Sequence, residues 1–158
     1  MPRVGLGAQD SRYESATERD CLMADLKGHA TAMIVAFSNG DLDKFMNLAG
    51  DATYNEVGSG RSVSGDAYRE ALVGWRTAFP DLVGTITNTI ELGDQVVQEI
   101  TWIGTHNGPL ATPDGEIPAT GKIATTPAVM VSEYVGDHLL ESRHYFDMMA
   151  LMAQIGVI

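Results

Sequence analysis

The sequence predicts one α+β domain, in which N-terminal helices pack as a cone on a curved, largely antiparallel sheet around a pocket. Three observations predict it. Apolar residues in the first half recur at helical spacing. Those in the second half alternate within runs rich in Thr, Val and Ile, which suit strands. The two kinds of segment are segregated along the chain, which argues against a parallel α/β sheet. The chain has 158 residues, the length of one domain, and a chain this long buries roughly 70% of its unfolded surface without disulfide or metal staples.

Each element follows from its residues. Met1 to Thr17 mix Gly, Ser, Gln and charges without a period. Residues 1–17 therefore read as a loose arm and residues 18–158 as the domain. From Glu18, the stripe Leu22, Leu26, Ala30, Met33 and Phe37 marks an amphipathic helix. Gly40 ends it, and Asp41 is placed to cap a second, short helix through Phe45 and Leu48. Ala52 to Glu56 reads as a short strand, and Gly58-Ser59-Gly60 as loop. Ser64 or Asp66 caps a third helix carrying Tyr68, Leu72, Trp75 and Phe79, and Pro80 stops it.

Strands follow at Leu82–Leu92, Gln95–Thr105, Lys122–Tyr134 and Leu139–Phe146. Gly93-Asp94 and Gly136-Asp137 turn the chain between them, and Asn107 to Gly121 reads as a loop. One phase of the second strand carries Val96, Gln98, Ile100, Trp102, Gly104 and His106. Met148 to Ile155 is apolar enough for a short closing helix.

Charge excludes whole classes of partner. With 21 acidic residues against 10 basic ones, the net charge is −11. That balance repels phosphate backbones and anionic membranes, and no Lys/Arg cluster overrides it. The expectation is no nucleic-acid partner and no membrane partner. No apolar run is long enough to span a bilayer, and the first residues lack the apolar core of a secretory signal. A cytoplasmic protein is expected. Cys21 is the single cysteine, so neither an intrachain disulfide nor a Cys-based metal site is expected. His138 and His144 stand six residues apart, roughly 20 Å along a strand, too far to share a metal. No phosphate loop, nucleophile elbow or dinucleotide fingerprint is present. No metal and no cofactor are expected.

Several side chains are candidates for chemistry. Asp147 follows an aromatic strand end and precedes an apolar helix. It is either a helix N-cap or a carboxylate in an apolar pocket, and the two roles pull its pKa in opposite directions. His106 ends a core strand and either faces the pocket mouth or is a satisfied loop histidine. His144 falls in the opposite phase from Asp147 if its strand is regular. Tyr54, Asn55 and Glu56 lie where the chain passes the pocket, as substrate contacts or as solvated loop. Trp75 and Trp102 are core residues or flat walls for an aromatic ligand.

Three segments carry a family resemblance. They are Gly65-Asp66-Ala67 leading to Ala78-Phe79-Pro80-Asp81, then Gly104-Thr105-His106-Asn107-Gly108 with Pro118-Ala119-Thr120-Gly121-Lys122, then Glu141-Ser142-Arg143-His144-Tyr145-Phe146-Asp147 with Leu151, Gln154, Ile155 and Gly156. Their order and spacing resemble the SnoaL-like polyketide cyclases, within the nuclear-transport-factor-2-like superfamily. The resemblance implies an acid–base aspartate at Asp147; His106, at the end of its strand, is the candidate to stand beside it. Glu56 and Ser142 stand where relatives commonly carry histidines, which points to shifted chemistry or a shifted substrate.

The implied activity is cofactor-independent, acid–base-catalysed intramolecular aldol cyclisation of a polyketide-like small molecule, with a hydrophobic or aromatic substrate. The alternatives are an isomerase, dehydratase or epoxide-opening enzyme in the same pocket, or a non-catalytic small-molecule-binding or dimerisation module. Val97, Ile103 and Val129 alternate with polar neighbours and leave apolar groups on the outer sheet face, so a homodimer through that face is expected.

Overall fold

The computed structural model describes residues 24–158. The expected arm, the helix start near Glu18 and Cys21 lie outside the described residues. Within them, helix α1 spans Leu26–Ser38, α2 Leu42–Ala49, α3 Gly65–Ala78 and α4 Met148–Ile155. Strands β1 (Thr53–Glu56) and β2 (Arg61–Val63) come between α2 and α3. After α3 come β3 (Val83–Leu92), β4 (Gln95–Thr105), β5 (Leu110–Thr112), β6 (Gly115–Ile117), β7 (Ile123–Val135) and β8 (His138–Phe146).

Caps set the helix starts. Asp25 accepts from the Gly28 amide at 2.8 Å and Asp41 from the Lys44 amide at 3.0 Å. Each satisfies an amide that a first helical turn leaves unpaired. Ser64 occupies the cap position of α3 without a side-chain bond.

Six strands form one sheet in the order β2-β1-β8-β7-β4-β3. Every pair is antiparallel except β1 with β8, which run parallel with Tyr54 opposite Ser142 and Glu56 opposite His144. This mixed, largely antiparallel sheet with helices packed on it is the α+β architecture expected. Alternation along β4 points Val96, Gln98, Ile100 and Trp102 inward, and all four are buried. They meet Met33, Ile34 and Phe37 of α1. A second apolar cluster, of Ala78, Phe79, Leu110, Ala124, Leu151 and Ile155, seats α4 at one end. Gln154 fastens that helix to the backbone of Thr125, accepting at 2.8 Å and donating at 3.1 Å.

Three features differ from the sequence reading. The Gly58-Ser59-Gly60 segment is the turn of a hairpin, because β2 pairs with β1. The segment from Asn107 to Gly121 contains the small hairpin β5–β6. The parallel pairing of β1 with β8 sets the first strand beside the last.

Candidate active site

Where the helices diverge from the sheet, they leave an apolar cavity of about 70 Å³. Its sheet side is made by Trp102 and Gly104 of β4, Ala124, Thr126 and Met130 of β7, and His144 and Phe146 of β8. Small residues at 124, 126 and 104 keep that wall low. The helical side is Ile34, Phe37, Phe45, Tyr68, Leu72 and Trp75. Gly84 makes room for one wall, since a Cβ there would lie 2.6 Å from the Trp102 ring.

Among the described residues, His144 is the one imidazole on this cavity, and no carboxylate lines it. Both of its nitrogens are held. Trp102 Nε1 lies 3.2 Å from His144 Nε2, and an indole N–H can only donate. Nε2 therefore accepts, and the ring proton sits on Nδ1. Nδ1 then donates to the Tyr54 hydroxyl, 2.9 Å away. The Tyr54 hydroxyl in turn donates toward Glu56 Oε2 at 3.5 Å. The result is one directed chain: Trp102, His144, Tyr54, Glu56.

Glu56 ends the chain as a buried charge, 2% exposed. Its compensation is complete. Arg61 Nη2 stands at 2.5 Å and Trp75 Nε1 at 3.2 Å from Oε2, and the Ser59 hydroxyl donates to Oε1 at 2.7 Å. The hairpin β1–β2 supplies this arrangement, placing Arg61 directly opposite Glu56.

Electrostatics follow from burial. Desolvation pushes the His144 pKa down to about 4, against the opposing pull of the Glu56 charge. The imidazole is thus neutral at physiological pH. Burial, then the Glu56 charge, raises the Tyr54 phenol well above its ordinary value. Burial also raises the Tyr68 phenol, whose ring stacks on Tyr54 with centroids 4.9 Å apart.

The candidates from the sequence separate accordingly. Tyr54, Trp75, Trp102 and His144 line the cavity, and Glu56 stands just behind Tyr54. Asp147 does not line it. The strand turns Phe146 inward, then the chain enters α4, and Asp147 caps that helix by accepting from the Ala150 amide at 2.9 Å. Its side chain is exposed. His106 is fully buried yet also off the cavity. Its Nδ1 meets the Thr120 hydroxyl at 3.1 Å, its ring packs on Phe79, and burial lowers its pKa. Its Nε2 has no partner among the described residues. Asn55 points to the outer face and donates to Glu141 at 3.1 Å. The sequence reading missed Arg61 and Thr126. Thr126 shares the inward phase of Ala124 and Ala128, and that alternation was its one signal.

Among the described residues, no three His, Cys, Asp or Glu side chains gather as a metal site. No described helix is long and apolar enough to cross a membrane.

The sequence profile of the SnoaL-like polyketide cyclases matches residues 27–155, most of the chain. The protein belongs to that family. Solved structures agree on the SnoaL-like fold. AclR from Streptomyces galilaeus superposes with a TM-score of 0.72 at 23% identity, covering 86% of this chain and 83% of its own. IdmH from Streptomyces antibioticus gives 0.70 at 21% identity, covering 84% and 99%. A protein of ketosteroid isomerase-like fold from Catenulispora acidiphila gives 0.63 at 22% identity, covering 81% and 92%. None of the curated protein sequences matches this SnoaL-like chain.

Proposed function

We propose that the protein is a cofactor-independent acid–base enzyme that cyclises a polyketide-like carbonyl compound by intramolecular aldol addition, with His144 as the base. The single observation behind this reading is that His144 is the imidazole on the apolar cavity among the described residues, where no carboxylate stands. Family membership supports the cyclase class.

The chemistry follows the hydrogen bonds. Substrate entry draws the Trp102 N–H from His144 Nε2 to the substrate carbonyl oxygen, and the freed Nε2 lone pair takes a proton from the methylene beside that carbonyl. The indole N–H is then in place to donate to the enolate oxygen. The new imidazolium keeps its Nδ1–H on Tyr54, and the Glu56 carboxylate behind it stabilises the positive charge, as the carboxylate does in a catalytic triad. The enolate carbon then bonds to a second carbonyl of the same molecule. His144 returns its proton to the oxygen formed there, so the atoms balance with no co-reactant. Holding the chain folded in a dry space supplies most of the acceleration, and the acid–base step about 10² to 10⁴-fold.

A simple linear δ-diketone tests this, because its aldol product loses water to a cyclohexenone that absorbs in the ultraviolet. The wild type is expected to speed that cyclisation, and His144→Gln to lower the rate by about 10²-fold or more. An unchanged rate in the variant would remove His144 from the role.

The same reading includes a homodimer through the outer sheet face. Val83, Ile90 and Ile103 stand exposed there, beside the half-buried Val97 and Val129. Light scattering that finds a monomer at micromolar concentration would count against it.

A further inference from the structure

A second hollow adjoins the first. Between α3, the β1–β2 hairpin, β5 and the start of α4 lies a cleft of about 610 Å³. Trp75 lines both spaces. Its ring therefore forms the partition, and its N–H on Glu56 holds it in place.

The volumes decide what each space can hold. A cavity of about 150 Å³ accepts one benzene. The inner cavity, at about 70 Å³, has room for a carbonyl and its neighbouring carbons, so a ring closing on them extends past Trp75 toward the outer cleft. The outer cleft has the size of an ordinary small-molecule site.

The walls of the cleft define its occupant. The lining is mixed, with apolar Met148, Met152, Val63 and Leu110 and polar Ser59, Arg61 and Glu70. The charge of Arg61 is already taken up by Glu56, which leaves Glu70 as the uncompensated charge beside the cleft. An anionic ligand is disfavoured there. Arg61 Nε has no acceptor among the described residues.

Gly74 adds an independent observation. It lies inside α3, where glycine is less favourable than alanine. Packing does not demand it, because a Cβ built there meets nothing within 4 Å. A side chain at this position would project into the cleft that Gly74 lines.

We infer that the cavity and the cleft are one binding site, divided at Trp75, for an elongated uncharged carbonyl compound. Its reacting end enters the inner cavity and its longer body lies in the outer cleft between Gly74 and Met152. This rests on the proposed reaction only for which end goes inward. It places the enzyme after a step that frees the substrate as a neutral molecule, because the cleft does not suit an anionic carrier group.

Methionine methyl resonances separate the two spaces, since Met130 lines the cavity while Met148 and Met152 line the cleft. With isotope-labelled methionine methyls, methyl ethyl ketone is expected to shift Met130 alone. Methyl nonyl ketone is expected to shift Met130, Met148 and Met152 together. Gly74→Phe fills the cleft and favours the helix. It should weaken methyl nonyl ketone by about 10-fold or more and leave the short ketone unaffected. A long ketone that moves only one set of methyls would overturn the inference. So would equal affinity of the long ketone for wild type and Gly74→Phe. Binding is read without turnover, so an inactive but normally binding protein would count against the proposed reaction and leave the two-part site standing.

Discussion

Two regions of the same sheet each hold a histidine with little exposure, half-buried His144 and fully buried His106, and they have opposite fates. At the β1–β8 side, His144 has both nitrogens in a directed chain that opens on the cavity and ends at a buried carboxylate. At the far end of β4, His106 is sealed behind Phe79 among the turns of the Thr120–Lys122 segment. A nearby carboxylate is used up locally. Asp81 accepts from the Thr105 amide and hydroxyl, both at 2.7 Å, and these bonds lower its pKa. Residue type does not distinguish the two regions. What differs is whether a neighbouring strand brings a second ionisable group and an open space to the same imidazole.

The largest expected effect that tests this contrast comes from the counter-ion. Arg61→Gln leaves Glu56 buried with no opposing charge, which should cost about 3–4 kcal/mol, read from the urea midpoint. A loss below about 1 kcal/mol would mean that Glu56 is not held as an anion.

Next is pH. The folded-state pKa of His144, about 4, lies below its unfolded value of about 6.5. The unfolded chain therefore binds the proton first as pH falls. The stability that neutral His144 contributes is fully present above about pH 6.5, and is lost progressively down to pH 4. The loss amounts to on the order of 3 kcal/mol. His144→Gln should flatten that part of the stability profile, while His106→Gln should leave its steepest portion in place. If His144 is the base, activity should also fall with its protonation, near pH 4. Glu56→Gln removes the charge that raises that pKa, so the fall should move to lower pH.

The smallest effect belongs to Asp147. As a cap, Asp147→Ala should cost about 1 kcal/mol, and Asp147→Asn only a few tenths, because Asn also caps well. Cyclisation of the diketone should be unchanged in Asp147→Asn. A loss of about 10²-fold in that variant would return Asp147 to the reaction.

Much of this arrangement could be read from the chain. Period-two alternation placed Val96, Gln98, Ile100 and Trp102 on one buried face, and the apolar run Met148–Ile155 is a helix with those bounds. Regular alternation also put His144 and Asp147 in opposite phases, and His144 is the one that faces inward. What the chain did not disclose depends on partners distant in sequence. Glu56 could be read as a substrate contact or as solvated loop, but not as one end of an ion pair, because its counter-ion sits across a turn on the three-residue strand Arg61–Val63. The cavity-facing role of His144 depends on Tyr54, which only the parallel pairing supplies. Asp147 caps its own helix, so its acceptance from the Ala150 amide was foreseeable from the helix start alone.

The parallel pairing of β1 with β8 also has a kinetic meaning. Tyr54 and His144 are 90 residues apart in sequence, so their contact closes one of the longest loops in the fold. Such contacts form late, after the entropy of the intervening chain has been lost. The α1–α2 pair and the β3–β4 and β7–β8 hairpins need only local closure. Glu56 can therefore stay hydrated, and its desolvation deferred, until most of the sheet stands. Refolding should thus regain helical signal and β-hairpin protection before any ability to bind a ketone, and the reactive chain of hydrogen bonds should be among the last parts of the molecule to assemble.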